Sequence, residues 1–198
     1  MKLEVKNGSE NYAATVVKIS NLHDIEGADH IQRTVIFGNN VIISKEAKIG
    51  DTMIYFVSGT KLNSDFCKYN DLLTDAEQNK NKKAGYISHK QFRVKAIKLK
   101  GIISDGILLP LVSLSYILNP SDGYYYDYQD VLKEGDTFTD IDGVSICEKY
   151  IVPSARNSNP GGKAPKQPSR ISRLVDKQFQ QYHIIKKRIT DRFKNKIL

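Results

Sequence analysis

A mainly β fold, a small barrel of short strands followed by a basic helical extension, is the class this sequence predicts. Three observations predict it. Apolar runs are short and punctuated by turn residues. One stretch alternates basic and apolar residues with period two, and helical periodicity is confined to the C-terminal tail.

The elements follow in order. Residues 13–19 and 31–37 read as strands, and Gly38-Asn39-Asn40 reads as a tight turn into a strand at 41–44. Lys48-Ile-Gly-Asp51 turns into 52–57, whose Met-Ile-Tyr-Phe-Val run is strongly β-prone. Residues 65–88 are polar, rich in Asn and Lys and without period, so they read as a long loop or a partly helical insertion, with mobility expected. Phe92-Arg-Val-Lys-Ala-Ile-Lys-Leu-Lys-Gly101 then alternates, with Arg93 and Lys95 on one face and Phe92, Val94 and Ala96 on the other. The phase slips at Ala96-Ile97, as at a β-bulge, and Lys98 and Lys100 continue the basic set. Residues 102–110 supply a last apolar strand. Glu134-Gly-Asp-Thr137 echoes Ile49-Gly-Asp-Thr52, and both read as turns into a strand. The cluster Tyr124-Tyr-Tyr-Asp-Tyr128 suits packing on the barrel or stacking on bases.

Charge is segregated. Residues 1–153 hold 18 Lys and Arg against 20 Asp and Glu, whereas residues 154–198 hold 12 against 2. A basic tail on a nearly neutral body points to a polyanion, with nucleic acid first and an anionic membrane second. Prolines and Gly161-Gly162 make 153–169 a linker, which separates a domain at 1–152 from an amphipathic helix at 170–198. Within that helix Ile185, Ile189, Phe193 and Ile197 form a four-residue ladder suited to a partner interface. Arg170, Arg173, Lys186, Lys187, Arg188 and Arg192 join Arg93, Lys95, Lys98 and Lys100 as candidate phosphate contacts.

Several chemistries are excluded. His23, His30, His89 and His183 lack metal-ligand spacing, and neither a phosphate-binding G-x-x-x-x-G-K-[ST] loop nor a G-x-S-x-G nucleophile turn occurs. Asp24, Glu26 and Asp29 read as a solvated loop, so neither a metal site nor a catalytic residue is expected. Lys98-Leu-Lys-Gly101 matches the minimal K-x-x-G of lysine nucleophiles. Lys98 stands in an alternating strand among like charges, not in a pocket that would lower its pKa, so its reading is structural. Cys67 and Cys147, without C-x-x-C spacing, fit a reducing compartment. Apolar runs fall short of the ~20 residues of a membrane span, and the start Met-Lys-Leu-Glu-Val-Lys has no apolar signal core. A cytoplasmic, soluble protein with no membrane partner is expected.

The ordered set Ile25-Glu-Gly-Ala-Asp-His-Ile31, Lys48-Ile-Gly-Asp-Thr-Met-Ile-Tyr-Phe56, Phe92-Arg-Val-Lys-Ala-Ile-Lys-Leu-Lys-Gly101 and Ser104-Asp-Gly-Ile-Leu-Leu-Pro110 resembles the N-terminal OB domain of Naegleria-type ATP-dependent RNA ligases. In that family an OB module precedes the nucleotidyltransferase domain. The likeness continues through Glu134-Gly-Asp136, Glu148-Lys-Tyr-Ile-Val-Pro153 and Ser172-Arg-Leu-Val-Asp-Lys-Gln-Phe179. It implies a five-stranded OB barrel with inserted loops and an RNA-binding role in end joining or repair.

The family's K-x-[DH]-G nucleophile has no counterpart here, and Gln178-Phe-Gln-Gln-Tyr-His183 lacks the arginine that the family places after Gln-Phe. The expected role is therefore that of a module which forms no lysyl-adenylate alone and carries no cofactor. ATP and a divalent metal would belong to the missing catalytic domain. The expected partners are RNA and a separately encoded nucleotidyltransferase chain. The first motif also resembles tRNA-binding OB domains of synthetases, so the alternative is a tRNA-binding or protein-interaction OB protein without a ligase role.

Overall fold

The computed structural model describes residues 1–117 and 127–153. The chain divides into two units, Met1–Val152 and Pro153–Leu198. Only Pro153 of the second is described, so the linker, the basic helix and its Ile185/Ile189/Phe193/Ile197 ladder lie outside the described residues.

The strands of the first unit are β1 (Leu3–Glu4), β2 (Ala14–Lys18), β3 (His23–Asp24), β4 (Ile31–Ile36), β5 (Asn39–Ser44), β6 (Thr52–Phe56) and β7 (Thr60–Leu62), followed by helix α1 (Ser64–Tyr69). Next come β8 (Ile97–Leu99), β9 (Ile102–Ser104), β10 (Ile107–Pro110), helix α2 (Tyr128–Val131), β11 (Thr137–Phe138), β12 (Asp140–Ile141), β13 (Val144–Ser145) and β14 (Cys147–Lys149).

Strand β6 is the centre of the fold. It pairs antiparallel with β2, Thr15 opposite Tyr55, and with β10, Ile107 opposite Phe56. Its Met-Ile-Tyr-Phe run does not alternate because both faces are covered. Ile54 and Phe56 join Ala14, Val16 and Ile107 in one buried cluster, while Met53 and Tyr55 join Val17, Ile19 and Leu108 in another.

Strands β4 and β5 cover the second cluster as a hairpin. Gln32, Thr34 and Ile36 are buried; Ile31, Arg33 and Val35 between them are half-exposed, as period two requires. Buried Gln32 donates to the carbonyls of Ser44 and Ala47, which satisfies its amide. Because Ile36 pairs with Asn39, the turn is Phe37 and Gly38, one residue earlier than the sequence suggests. Their φ values, 49° and 82°, are those of a two-residue type I′ connection.

Strand β9 runs beside β5: the Ile42 amide donates to Ser104 Oγ, and the Asp105 amide to the Asn40 carbonyl. Five segments (β2 continuing into β3, β4, β5, β6, and β10 with β9) thus form the partly open barrel of the OB-fold, and the fold is mainly β.

Three expectations change. The alternating stretch at 92–100 is not one bulged strand. Its first part lies along β7, where Val94 donates to Thr60 and accepts from Gly59, and Leu62 donates to the Phe92 carbonyl. Its last part pairs with β9 as the β8–β9 hairpin. The slip at Ala96-Ile97 marks the hand-over between partners. The last strand likewise breaks at Asp105 and Gly106, where φ at Gly106 is 112° and a β-carbon would stand 2.5 Å from the Phe56 carbonyl oxygen.

Residues 65–88 are partly helical, one of the two readings of the sequence, and they form a packed layer rather than a mobile one. Phe66, Cys67, Leu72, Leu73 and Ile87 are buried in the larger cluster. Asn79, 2% exposed, ties the layer together: its side chain accepts from the Leu73 amide and donates to the carbonyls of Leu73 and Lys83. Tyr128 is a core residue at 3% exposure, and its hydroxyl donates to the Ile117 carbonyl. Tyr124, Tyr125 and Tyr126 lie outside the described residues.

The two Gly-Asp turns are built alike. Asp51 accepts from the Lys48 amide and Asp136 from the Lys133 amide, both at 2.8 Å, and Gly50 and Gly135 donate to carbonyls of Ile19 and Val16.

Candidate nucleic-acid interface

Two loops and one sheet face converge at the end of the barrel where β3 leads into β4. The loop at 25–30 is anchored by buried Ile25, whose carbonyl accepts from the Ala28 amide, and it turns at Gly27 with φ 68°. The connection between β6 and β9 ends in the β8–β9 hairpin. Its turn residues, Lys100 and Gly101, have φ 48° and 82°. The Lys100 side chain reaches toward the first loop: a β-carbon at Gly27 would lie 3.9 Å from Lys100 Nζ. In OB-folds the face of the second and third strands, flanked by the loops after the first and fourth, is where oligonucleotides bind.

On that face the β4–β5 hairpin presents Arg33, which donates from Nη1 to Asn40 Oδ1 at 2.8 Å and sits opposite Ile42. His23 pairs across from Arg33, and Lys45 reaches Asp24 at 3.1 Å. The surroundings are therefore mixed in charge, with Asp24 at the end of β3 and Glu26 and Asp29 on the Gly27 loop.

The four cations singled out in residues 92–100 do not share one strand face. Lys98 and Lys100 are exposed on the hairpin, Lys98 within β8 and Lys100 at its turn. Lys95 is exposed on the connecting backbone. Arg93 stands apart, bridged to Lys61, with its guanidinium 5.0 Å from the Tyr150 ring centroid. Its Nε is buried without a hydrogen-bond partner. The six tail cations, Arg170 to Arg192, lie outside the described residues. Sequence reasoning missed Arg33 and Lys61. Extending the period-two reading through 31–37 was the signal for Arg33; nothing local marked Lys61.

Next along the chain from Arg93, Phe92 joins Lys61, Asn63, Ser145, Cys147 and Glu148 among the residues that line a cleft of about 250 Å³. Lys61 and Glu148 pair across it at 2.8 Å. Burial pushes the Cys147 thiol up to about 12, and its Sγ donates to the carbonyl of Phe138, so it is no thiolate nucleophile. Lys98 of the K-x-x-G match is exposed on a strand, not seated in a pocket. Among the described residues, no group of three or more His, Cys, Asp or Glu is placed to hold a metal ion. The arrangement suits binding of a charged polymer.

A family model described as an OB-fold domain matches residues 13–111, half of the chain and all five barrel segments. The chain belongs to this OB-fold family. No curated protein matches it. Among solved structures it is similar to an RNA ligase of Naegleria gruberi. A mutant with ATP and Mn aligns at 21% identity over 72% of this chain and 36% of that chain, with a TM-score of 0.45. The same ligase with PPi aligns at 21% identity over 79% and 40%, with a TM-score of 0.41. The chain thus spans well under half the length of these ligase chains.

Proposed function

We propose that this chain is an RNA-binding OB module that supports RNA end joining or repair together with a nucleotidyltransferase domain outside these 198 residues. The observation that carries the reading is the meeting of Gly27 and Lys100 beside the Arg33 face, where the two binding loops of an OB barrel adjoin its binding strands. Support for the RNA-ligase setting comes from the order of motifs along the sequence, and support for a polyanion from the basic tail.

Arg33, Lys98 and Lys100 would hold the backbone of a single strand at the barrel. Arg170, Arg173 and Lys186 to Arg192 would add phosphate contacts from the tail. ATP and metal chemistry would belong to the catalytic partner.

The test is a fluorescence-anisotropy titration of the full chain with a labelled single-stranded RNA and with the matching duplex. Tighter binding of the single strand, weakened by Arg33→Gln, supports the reading. Equal, Arg33-independent binding of both, or none of either, removes it.

A further inference from the structure

The charge of the first unit is more polarised than its sum suggests. Eight Lys and Arg and no Asp or Glu fall between positions 80 and 100, inside the connection from β6 to β9. The remainder of residues 1–153 carries ten cations against twenty carboxylates. The stretch 80–100 is therefore a concentrated run of positive charge, whereas residues 65–79 of the same connection carry Asp65, Asp71, Asp75 and Glu77 against Lys68 alone.

The insertion is also well fixed. Asn79 bonds to Leu73 and Lys83, Leu73 and Ile87 form a parallel bridge, and Val94 is fully buried along β7. Lys80, Lys82, Lys83 and Lys90 are all exposed. Lys82 pairs with Glu77 at 3.0 Å, and Asp71 lies near Lys80 and Lys83. These two carboxylates are outnumbered by the cations they face. The open aromatic surface is that of Tyr86, 50% exposed, while the Tyr69 ring is covered by Lys80, whose Nζ lies 3.7 Å from its centroid.

We propose that this insertion is a second phosphate track, which continues the binding path from the Lys98–Lys100 hairpin past Lys90 to Lys83, Lys82 and Lys80 and so lengthens the footprint of a single-stranded RNA. The proposal rests on the RNA-binding reading above and adds residues that reading does not use. Several fixed cations with neighbouring aromatic faces are what a flexible polyanion engages, since each neutralised phosphate releases counterion and bases can stack.

The experiment compares the full chain with the Lys82→Gln/Lys83→Gln/Lys90→Gln variant, titrating a single-stranded RNA of about 16 nucleotides, the upper site size of an OB module, across a salt series. Loss of three contacts should make the slope of log K against log salt shallower by roughly 2. Independently of any variant, bound RNA should protect Lys83 and Lys90 of the wild-type chain from amine acetylation. An unchanged slope with unprotected lysines, while the wild type still binds RNA, overturns the track and leaves the barrel reading standing. A wild-type chain that binds anionic vesicles but not RNA removes both.

Discussion

Lys100 and Gly27 face each other across two loops, with Lys100 Nζ 3.9 Å from where a β-carbon on Gly27 would stand. Gly27 holds φ 68° and Lys100 φ 48°, so each loop turns through the left-handed region at the residue that takes part in this approach. Lys100→Gln should leave the melting temperature unchanged and make the salt slope of RNA binding shallower by roughly 0.7, the share of one phosphate. Gly27→Ala should instead lower stability by about 1 kcal/mol, the strain of a side chain in that region. Urea denaturation and RNA titration separate the two effects.

Phe37 is a misfit by backbone criteria. It occupies the first turn position of the β4–β5 hairpin at φ 49° and is 71% exposed, with its ring centroid 6.1 Å from that of Tyr55. Phe37→Asn creates the Asn-Gly pair such turns favour and should stabilise by about 0.5 kcal/mol. A lower urea midpoint would mean that the contact with Tyr55 outweighs the strain.

The packed insertion makes two strong demands. Asn79→Ala strands the buried amide of Leu73, whose carbonyl keeps its bond from the Gly85 amide, and should cost about 2 kcal/mol. Gly85→Ala places a β-carbon 2.3 Å from the Leu72 carbonyl and should cost at least as much, on the order of 2–3 kcal/mol. Denaturation midpoints check both, and a null effect would return 65–88 to the status of a loose loop.

Burial raises both thiols, Cys67 and Cys147, from 9.0 to about 12. A raised folded value means the unfolded chain loses its protons first. The stabilisation is complete below pH 9 and is lost as pH climbs through about 12. Melting temperature should fall across that window, and the fall should be shallower in a Cys67→Ala/Cys147→Ala variant.

What was legible in the sequence was whatever depended on local pattern. Residues 31–36 and 52–56 declared their strands through alternation and through a continuous apolar run, and Asp51 and Asp136 announced equivalent turns. The partly helical character of the insertion was legible, but its packing was not, because its core contacts are few and widely spaced: Leu72, Leu73 and Ile87 carry no period, and Asn79 looks like any surface amide until its three partners are seen. Alternation in 92–100 was real but hid a change of partner, from β7 to β9, which no single strand encodes. Lys98 and Lys100 were recognised as binding candidates; their meeting with the Gly27 loop depends on tertiary contact.

The most direct test is the salt dependence of single-stranded RNA binding by the full chain. Nine neutralised phosphates, three at the barrel and six on the tail, predict that log K falls against log salt with a slope of roughly −6. A flat response, or no binding at low salt, would contradict the account of this chain as an RNA-binding OB module.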